Sequence, residues 1–152
     1  MFDMRFLADA MLGRLAKWLR ILGYDTAYFS QIEDGDLVRI ARAEGRTLLT
    51  RDRELTRRKG LRCLLIESDR FEEQMRQLLR DLDLKMDSSF SRCARCNTVL
   101  RPASKEEVKD RVPPYILRRH VHFSLCPHCD KVYWRGTHWQ RMQHRIEEIR
   151  GG

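Results

Sequence analysis

Nowhere in the 152 residues does an apolar run approach the roughly 20 residues that a membrane-spanning helix requires. No segment repeats and no tract is of low complexity, which sets aside solenoids and unstructured polar stretches. The opening Met1-Phe2-Asp3-Met4-Arg5-Phe6 lacks the basic-then-apolar layout of a secretion signal. Cysteines are few: five, an odd number, four of them in two close pairs. That count argues against a disulfide framework and for metal binding in a reducing setting, so a cytoplasmic location is expected. A large enzyme core is excluded by length, which allows one ordinary domain or two small ones. With 42% hydrophobic and 34% charged residues, the chain is expected to fold around a packed core.

Acidic residues are scarce in one half only. Residues 1–87 carry 17 basic and 16 acidic side chains, a balance of +1, whereas residues 88–152 carry 13 and 6, a balance of +7. Such asymmetry predicts two modules, the second suited to a polyanion such as nucleic acid.

Along the first half, short apolar runs alternate with helical patterns. Phe6-Leu7-Ala8 reads as a buried strand and Met11–Leu22 as a helix whose Leu12, Leu15, Leu19 and Leu22 share one face. Thr26–Phe29, Thr47–Thr50 and Cys63–Ile66 read as further strands. Leu37–Ala43, Glu54–Lys59 and Phe71–Leu82 read as helices, with Gly23, Gly45 and Gly60 as stops. This alternation predicts an α/β fold, a parallel sheet flanked by helices. We expect it to span residues 1–84, with a linker at 85–91 and a second module at 92–152. In that module Ser104-Lys-Glu-Glu107 reads as a capping box opening a helix that Pro113-Pro114 ends. A last helix from about Thr137 would bury Trp139, Met142, Ile146 and Ile149.

Parallel sheets bind ligands beyond the carboxyl ends of their strands. Asp9 follows the first strand, Asp52 the third, and Asp69 the fourth, while Asp34 and Asp36 open the second helix. Carboxylates gathered there would repel unless a hard cation such as Mg²⁺ or Mn²⁺ joined them. Each also reads as an ordinary helix cap, most plainly Asp34, Asp36 and Asp69.

Cys93-x₂-Cys96 and Cys126-x₂-Cys129, 29 residues apart, have the spacing of a four-thiolate structural zinc site. His128 reads as a neighbour of that site and Cys63 as a small core residue. Around the cysteines, arginines including Arg118, Arg119 and Arg135 are interleaved with His120, His122, Tyr133, Trp134 and Trp139. Arginines hold phosphates and rings stack unpaired bases, although the rings serve equally as ribbon core.

Two long motifs, Phe6-Leu-Ala-Asp9-Ala-Met-Leu-Gly-Arg14-Leu-Ala-Lys17-Trp-Leu-Arg20-Ile-Leu-Gly23-Tyr-Asp25 and Leu48-Leu-Thr50-Arg-Asp52-Arg-Glu-Leu55, resemble the PIN-like ribonuclease family named after the mut-seven C-terminal domain. Tyr133-Trp-Arg-Gly136-Thr-His-Trp139 is similar to that family's closing motif, and Met4 to its usual start, which makes residues 1–3 an extension. The resemblance implies a PIN-type sheet, an appended zinc ribbon and a divalent-metal-dependent endoribonuclease. It maps the acidic positions onto Asp9, Asp34 or Asp36, and Asp52, with Asp9, Asp36 and Asp52 as the Mg²⁺ or Mn²⁺ ligands. Asp69 is the candidate for a fourth. On this reading Arg14 and Lys17 clamp a phosphate and Arg51 and Arg53 flank Asp52. The alternative is a non-catalytic zinc-ribbon protein that binds RNA or a ribosomal or RNA-processing partner.

Overall fold

The computed structural model describes residues 4–85 and 91–151 of the chain. The extension at residues 1–3 and all but the ends of the expected linker therefore lie outside the described residues. Four strands, β1 (Arg5–Ala8), β2 (Asp25–Tyr28), β3 (Thr47–Thr50) and β4 (Cys63–Leu65), form one parallel sheet in the order β2-β1-β3-β4. This is the α/β sheet expected from the sequence.

Side chains alternate between faces along a strand, so a sheet covered on both sides reads as a continuous apolar run. Phe6 and Ala8 of β1 and Leu49 of β3 join one core with α1 (Gly13–Ile21), α4 (Phe71–Leu82) and α7 (Thr137–Gly151). Leu7 and Leu48 point the other way, into a second core with α2 (Asp34–Glu44) and α3 (Arg53–Thr56). The first core also takes in Ala94 of the cysteine module, together with Met142, Ile146 and Ile149 of α7. The two halves of the chain therefore share one interior. Among the described residues no helix is long and apolar enough to cross a membrane.

The expected helix over Met11–Leu22 is two pieces, a 3₁₀ turn at Ala10–Leu12 followed by α1. The break comes where the Tyr28 hydroxyl donates to Ala10 O at 2.7 Å. Gly13 lets that hydroxyl sit against the turn, since a Cβ there would lie 2.9 Å from Tyr28 Oη. Gly45 ends α2 in the left-handed conformation, φ 63°, as its position in the sequence suggested.

The second half holds a small antiparallel sheet, β5 (Arg101–Ala103), β6 (Phe123–Leu125) and β7 (Val132–Tyr133), in the order β5-β6-β7. Ser104 and Glu107 form the expected capping box at the start of α5 (Lys105–Val108). That helix stops at Val108 rather than running to Pro113-Pro114. Pro114 instead opens a separate helix, α6 (Pro114–Arg119), in the first-turn position where its missing N–H costs nothing.

Candidate active site and zinc centre

Both cysteine knuckles are built by one backbone device. Asn97 N–H donates to Cys93 O at 2.8 Å and Asp130 N–H to Cys126 O at 2.9 Å. Cys93 N–H donates to Thr98 O, and Cys126 N–H to Lys131 O. Each turn needs a residue at positive φ, supplied by Asn97 (66°) and Asp130 (64°), the two non-glycine types that tolerate it best. The result brings the Sγ atoms of Cys93, Cys96, Cys126 and Cys129 within 4.8 Å of one another. A tetrahedron with Zn–S bonds of about 2.3 Å has sulfur–sulfur edges of about 3.8 Å. Cys93 and Cys129 lie 3.7 Å apart, so the donor set and its spacing fit zinc.

Burial raises the Cys93 thiol, but hydrogen bonds from Tyr133 and from the backbone N–H groups of Cys96 and Arg95 outweigh it, bringing it down to about 7. The Cys96 thiol moves the opposite way, to about 12, through burial and the neighbouring sulfurs. Four facing sulfurs without a cation therefore cannot all ionise, and a divalent ion removes the conflict. The Tyr133 hydroxyl, which donates to Cys93 Sγ at 3.2 Å and accepts from Ala94 N–H at 3.0 Å, fixes the first knuckle. No local pattern assigned a role to this hydroxyl; its one trace was a tyrosine four residues after the last cysteine.

At the carboxyl edge of the parallel sheet, Asp9 and Asp52 follow the adjacent central strands β1 and β3. The Asp9 carboxylate accepts from Ala10 N–H through Oδ1 at 2.7 Å and from the Thr50 hydroxyl through Oδ2 at 2.7 Å. That same hydroxyl accepts from Asp52 N–H at 3.0 Å. Asp52 Oδ1 in turn caps α3 by accepting from Glu54 N–H at 2.9 Å. A fully buried threonine thus links the two aspartates, a part that sequence reasoning missed. Its one trace was a hydroxyl-bearing, β-branched residue closing an apolar strand just before Arg51-Asp52. Among the described residues no hydrogen bond takes Asp52 Oδ2, and accepted bonds leave lone pairs on both Asp9 oxygens, so the pair retains ligand capacity for a hard cation.

The other acidic candidates sit apart from this pair. Asp34 and Asp36 occupy the exposed first turn of α2, where Glu33 holds the cap position, and Asp36 pairs with Arg39 at 3.4 Å. Asp69 is not the cap of α4, a position held by Arg70. It lines a groove of about 630 Å³ with Arg51, Glu67, Glu73, Arg76 and Arg80. Among the described residues, the four cysteines form the sole group of three or more metal-capable side chains.

The basic candidates divide by location. Arg14 stacks its guanidinium 4.2 Å above Phe71, whose ring also meets Trp18 at 5.0 Å and Arg145 at 5.7 Å. Lys17 lines a cavity of about 380 Å³ between α1 and the ribbon, with Lys131, Trp134 and Trp139. Arg51 and Arg53 are exposed beside Asp52, and Arg118 and Arg119 are exposed on α6. Arg135 lies over the Trp139 ring at 5.0 Å.

A polar joint fastens the first knuckle to the sheet edge. Asn97 accepts from Thr26 N–H at 2.9 Å and donates to Asp25 Oδ1 at 2.7 Å. Arg20 donates to Thr26 O at 2.7 Å and to the carbonyls of Ala94 and Arg95 at 3.1 and 3.2 Å. Arg46 completes the joint with a 2.8 Å ion pair to Asp25. Partial burial disfavours the charged Asp25, yet bonds from Asn97 and Arg46 prevail and hold its carboxyl below the usual range.

Neither the curated proteins nor the solved structures compared with the chain include a match. A family model does match, that of the Mut7-C RNAse domain, over residues 4–146, from the first strand into the last helix. With the parallel sheet and the ribbon's thiolate cluster in one continuous match, the chain belongs to the Mut7-C RNAse domain family.

Proposed function

We propose that this member of an RNAse domain family, a nuclease-type protein with RNA as its substrate class, is a divalent-metal-dependent endoribonuclease of the cytoplasm. Asp9 and Asp52 hold Mg²⁺ or Mn²⁺, and the basic ribbon grips RNA through Arg118, Arg119 and Arg135. The observation that carries this reading is the buried Thr50 hydroxyl joining Asp9 to Asp52 across the two central strands. When bound, such a cation supplies charge neutralisation at a scissile phosphate and a water of lowered pKa. The chain's own part is orientation. Thr50 and Ala10 N–H fix the Asp9 carboxylate, Glu54 N–H fixes that of Asp52, and Arg51 and Arg53 present cations to the phosphates on either side. The four-thiolate zinc is structural, having no open position.

The alternative is RNA or ribosome binding without cleavage. It draws support from Asp36, which is turned to Arg39 and is not gathered with Asp9 and Asp52. Purified protein incubated with mixed RNA and Mn²⁺, with and without EDTA, separates the two. Cleavage that needs the metal and disappears in Asp9→Asn supports the nuclease; RNA retention without cleavage supports the binder.

A further inference from the structure

On the ribbon, between the segment after α6 and the end of β7, a concavity of about 470 Å³ opens, within the size range of small-ligand sites. Its lining carries two arginines, Arg119 and Arg135, two histidines, His120 and His122, and no acidic side chain. The groove beside Asp69 differs in kind, since Glu67, Asp69 and Glu73 there offset its arginines. Among the described residues none of Arg119, His120 and His122 has an ion-pair partner, so the Arg119 guanidinium and the imidazole nitrogens line the opening uncommitted. The sign of the field therefore selects an anion.

The floor selects a flat one. Trp134 stands in this wall with its ring held from behind by Phe123, centroids 6.4 Å apart. Gly136 is what lets the indole lie there, because a Cβ at that position would come within 2.7 Å of Trp134 Nε1. Next to it Tyr133 is tied to Cys93 through its hydroxyl, so the wall is braced by the thiolate centre. A half-buried ring backed by Phe123 and rimmed by Arg119 and Arg135 provides a stacking surface for a base and cations for its phosphate. Trp134 also bounds the neighbouring cavity, where Lys131 and then Lys17 of α1 continue the positive path toward the sheet.

The geometry points to a pocket for one unpaired ribonucleotide: its base stacks on Trp134 and its phosphate pairs with Arg119 and Arg135. This rests on RNA being the substrate, and it specifies that the ribbon selects single-stranded segments over duplex. Stacking is available to a splayed base and not to one inside an A-form helix.

The test uses the full-length, zinc-loaded Asp52→Asn protein, so that probes are not consumed, and four probes: a single-stranded oligoribonucleotide, a blunt RNA duplex of equal length, adenosine 5′-monophosphate and inorganic phosphate. The single strand is expected to bind at least tenfold tighter than the duplex, and the nucleotide to bind where phosphate alone does not. Photocrosslinking of a 4-thiouridine strand should map to Trp134 or its neighbours. In the same background Arg119→Glu and His122→Ala, both at exposed positions, should erase the preference for single strand while zinc content and melting temperature stay unchanged. Trp134→Leu should abolish nucleotide binding. Equal binding of strand and duplex, a crosslink mapped outside the ribbon, or full preference in Arg119→Glu would overturn the pocket. Failure of the nuclease reading has a different signature, cleavage by Asp52→Asn at the parent rate.

Discussion

Thr50 shows how much a single hydroxyl can organise. It donates to one aspartate and accepts from the backbone of the other while wholly buried, so its loss leaves an acceptor and a donor without their partner. Thr50→Val keeps the shape and removes the bonds. It should cost about 1–3 kcal/mol of stability, read by denaturant unfolding, and lower RNA cleavage at saturating Mn²⁺. Tyr133 plays the corresponding part at the zinc centre. Tyr133→Phe should fold but bind zinc about 10–100-fold more weakly, measured by competition with a chromophoric chelator. An unchanged zinc affinity would show that the hydroxyl only fills space. At this scale the sequence was half legible. Asp9, Asp52 and the four cysteines stand out because strand ends and CxxC spacing are local signals. Thr50, Tyr133, Arg20 and Asn97 act on partners distant in sequence, up to 75 residues away for Arg20, and no local pattern encodes that.

Among the elements, α4 and α7 carry the junction between the halves. Met75 and Leu78 of α4 share the first core with Met142, Ile146 and Ile149 of α7. An ion pair between Glu72 and Arg145 crosses the same seam. Ile146→Ala should cost about 2–5 kcal/mol, seen as one cooperative shift of the whole melt; a split transition would contradict the shared interior. Helices with a clear apolar stripe were readable in advance, and the extent of α4 matches its periodicity at both ends. The elements that escaped prediction are those set by contacts. The 3₁₀ turn exists because Tyr28 reaches Ala10, and α6 begins at a proline that reads as a terminator when the fold around it is unknown. The ribbon strands are two or three residues long, too short for alternation to register.

Over the whole molecule, the four-cysteine cluster and the sheet are coupled through the joint at β2. Asn97 owes its position to the first knuckle, and it satisfies the backbone of Thr26 on the edge strand. Removing zinc with a chelator should therefore speed amide hydrogen exchange in β2 more than in β4, at the opposite edge of the sheet. Acid should act on the same joint. The Asp25 carboxyl titrates lower when folded than in the open chain, so its contribution is complete above the unfolded value of about 3.9 and fades as pH falls through the folded one. Stability measured between pH 5 and pH 3 should drop, and Asp25→Asn should flatten part of that drop.

The decisive question is whether Asp9 and Asp52 act together on one cation. A crystal of the zinc-loaded protein soaked in Mn²⁺ and measured at the manganese absorption edge should show an anomalous peak within coordination distance of both carboxylates. A manganese peak elsewhere, with the edge between Asp9 and Asp52 empty, would contradict the assignment.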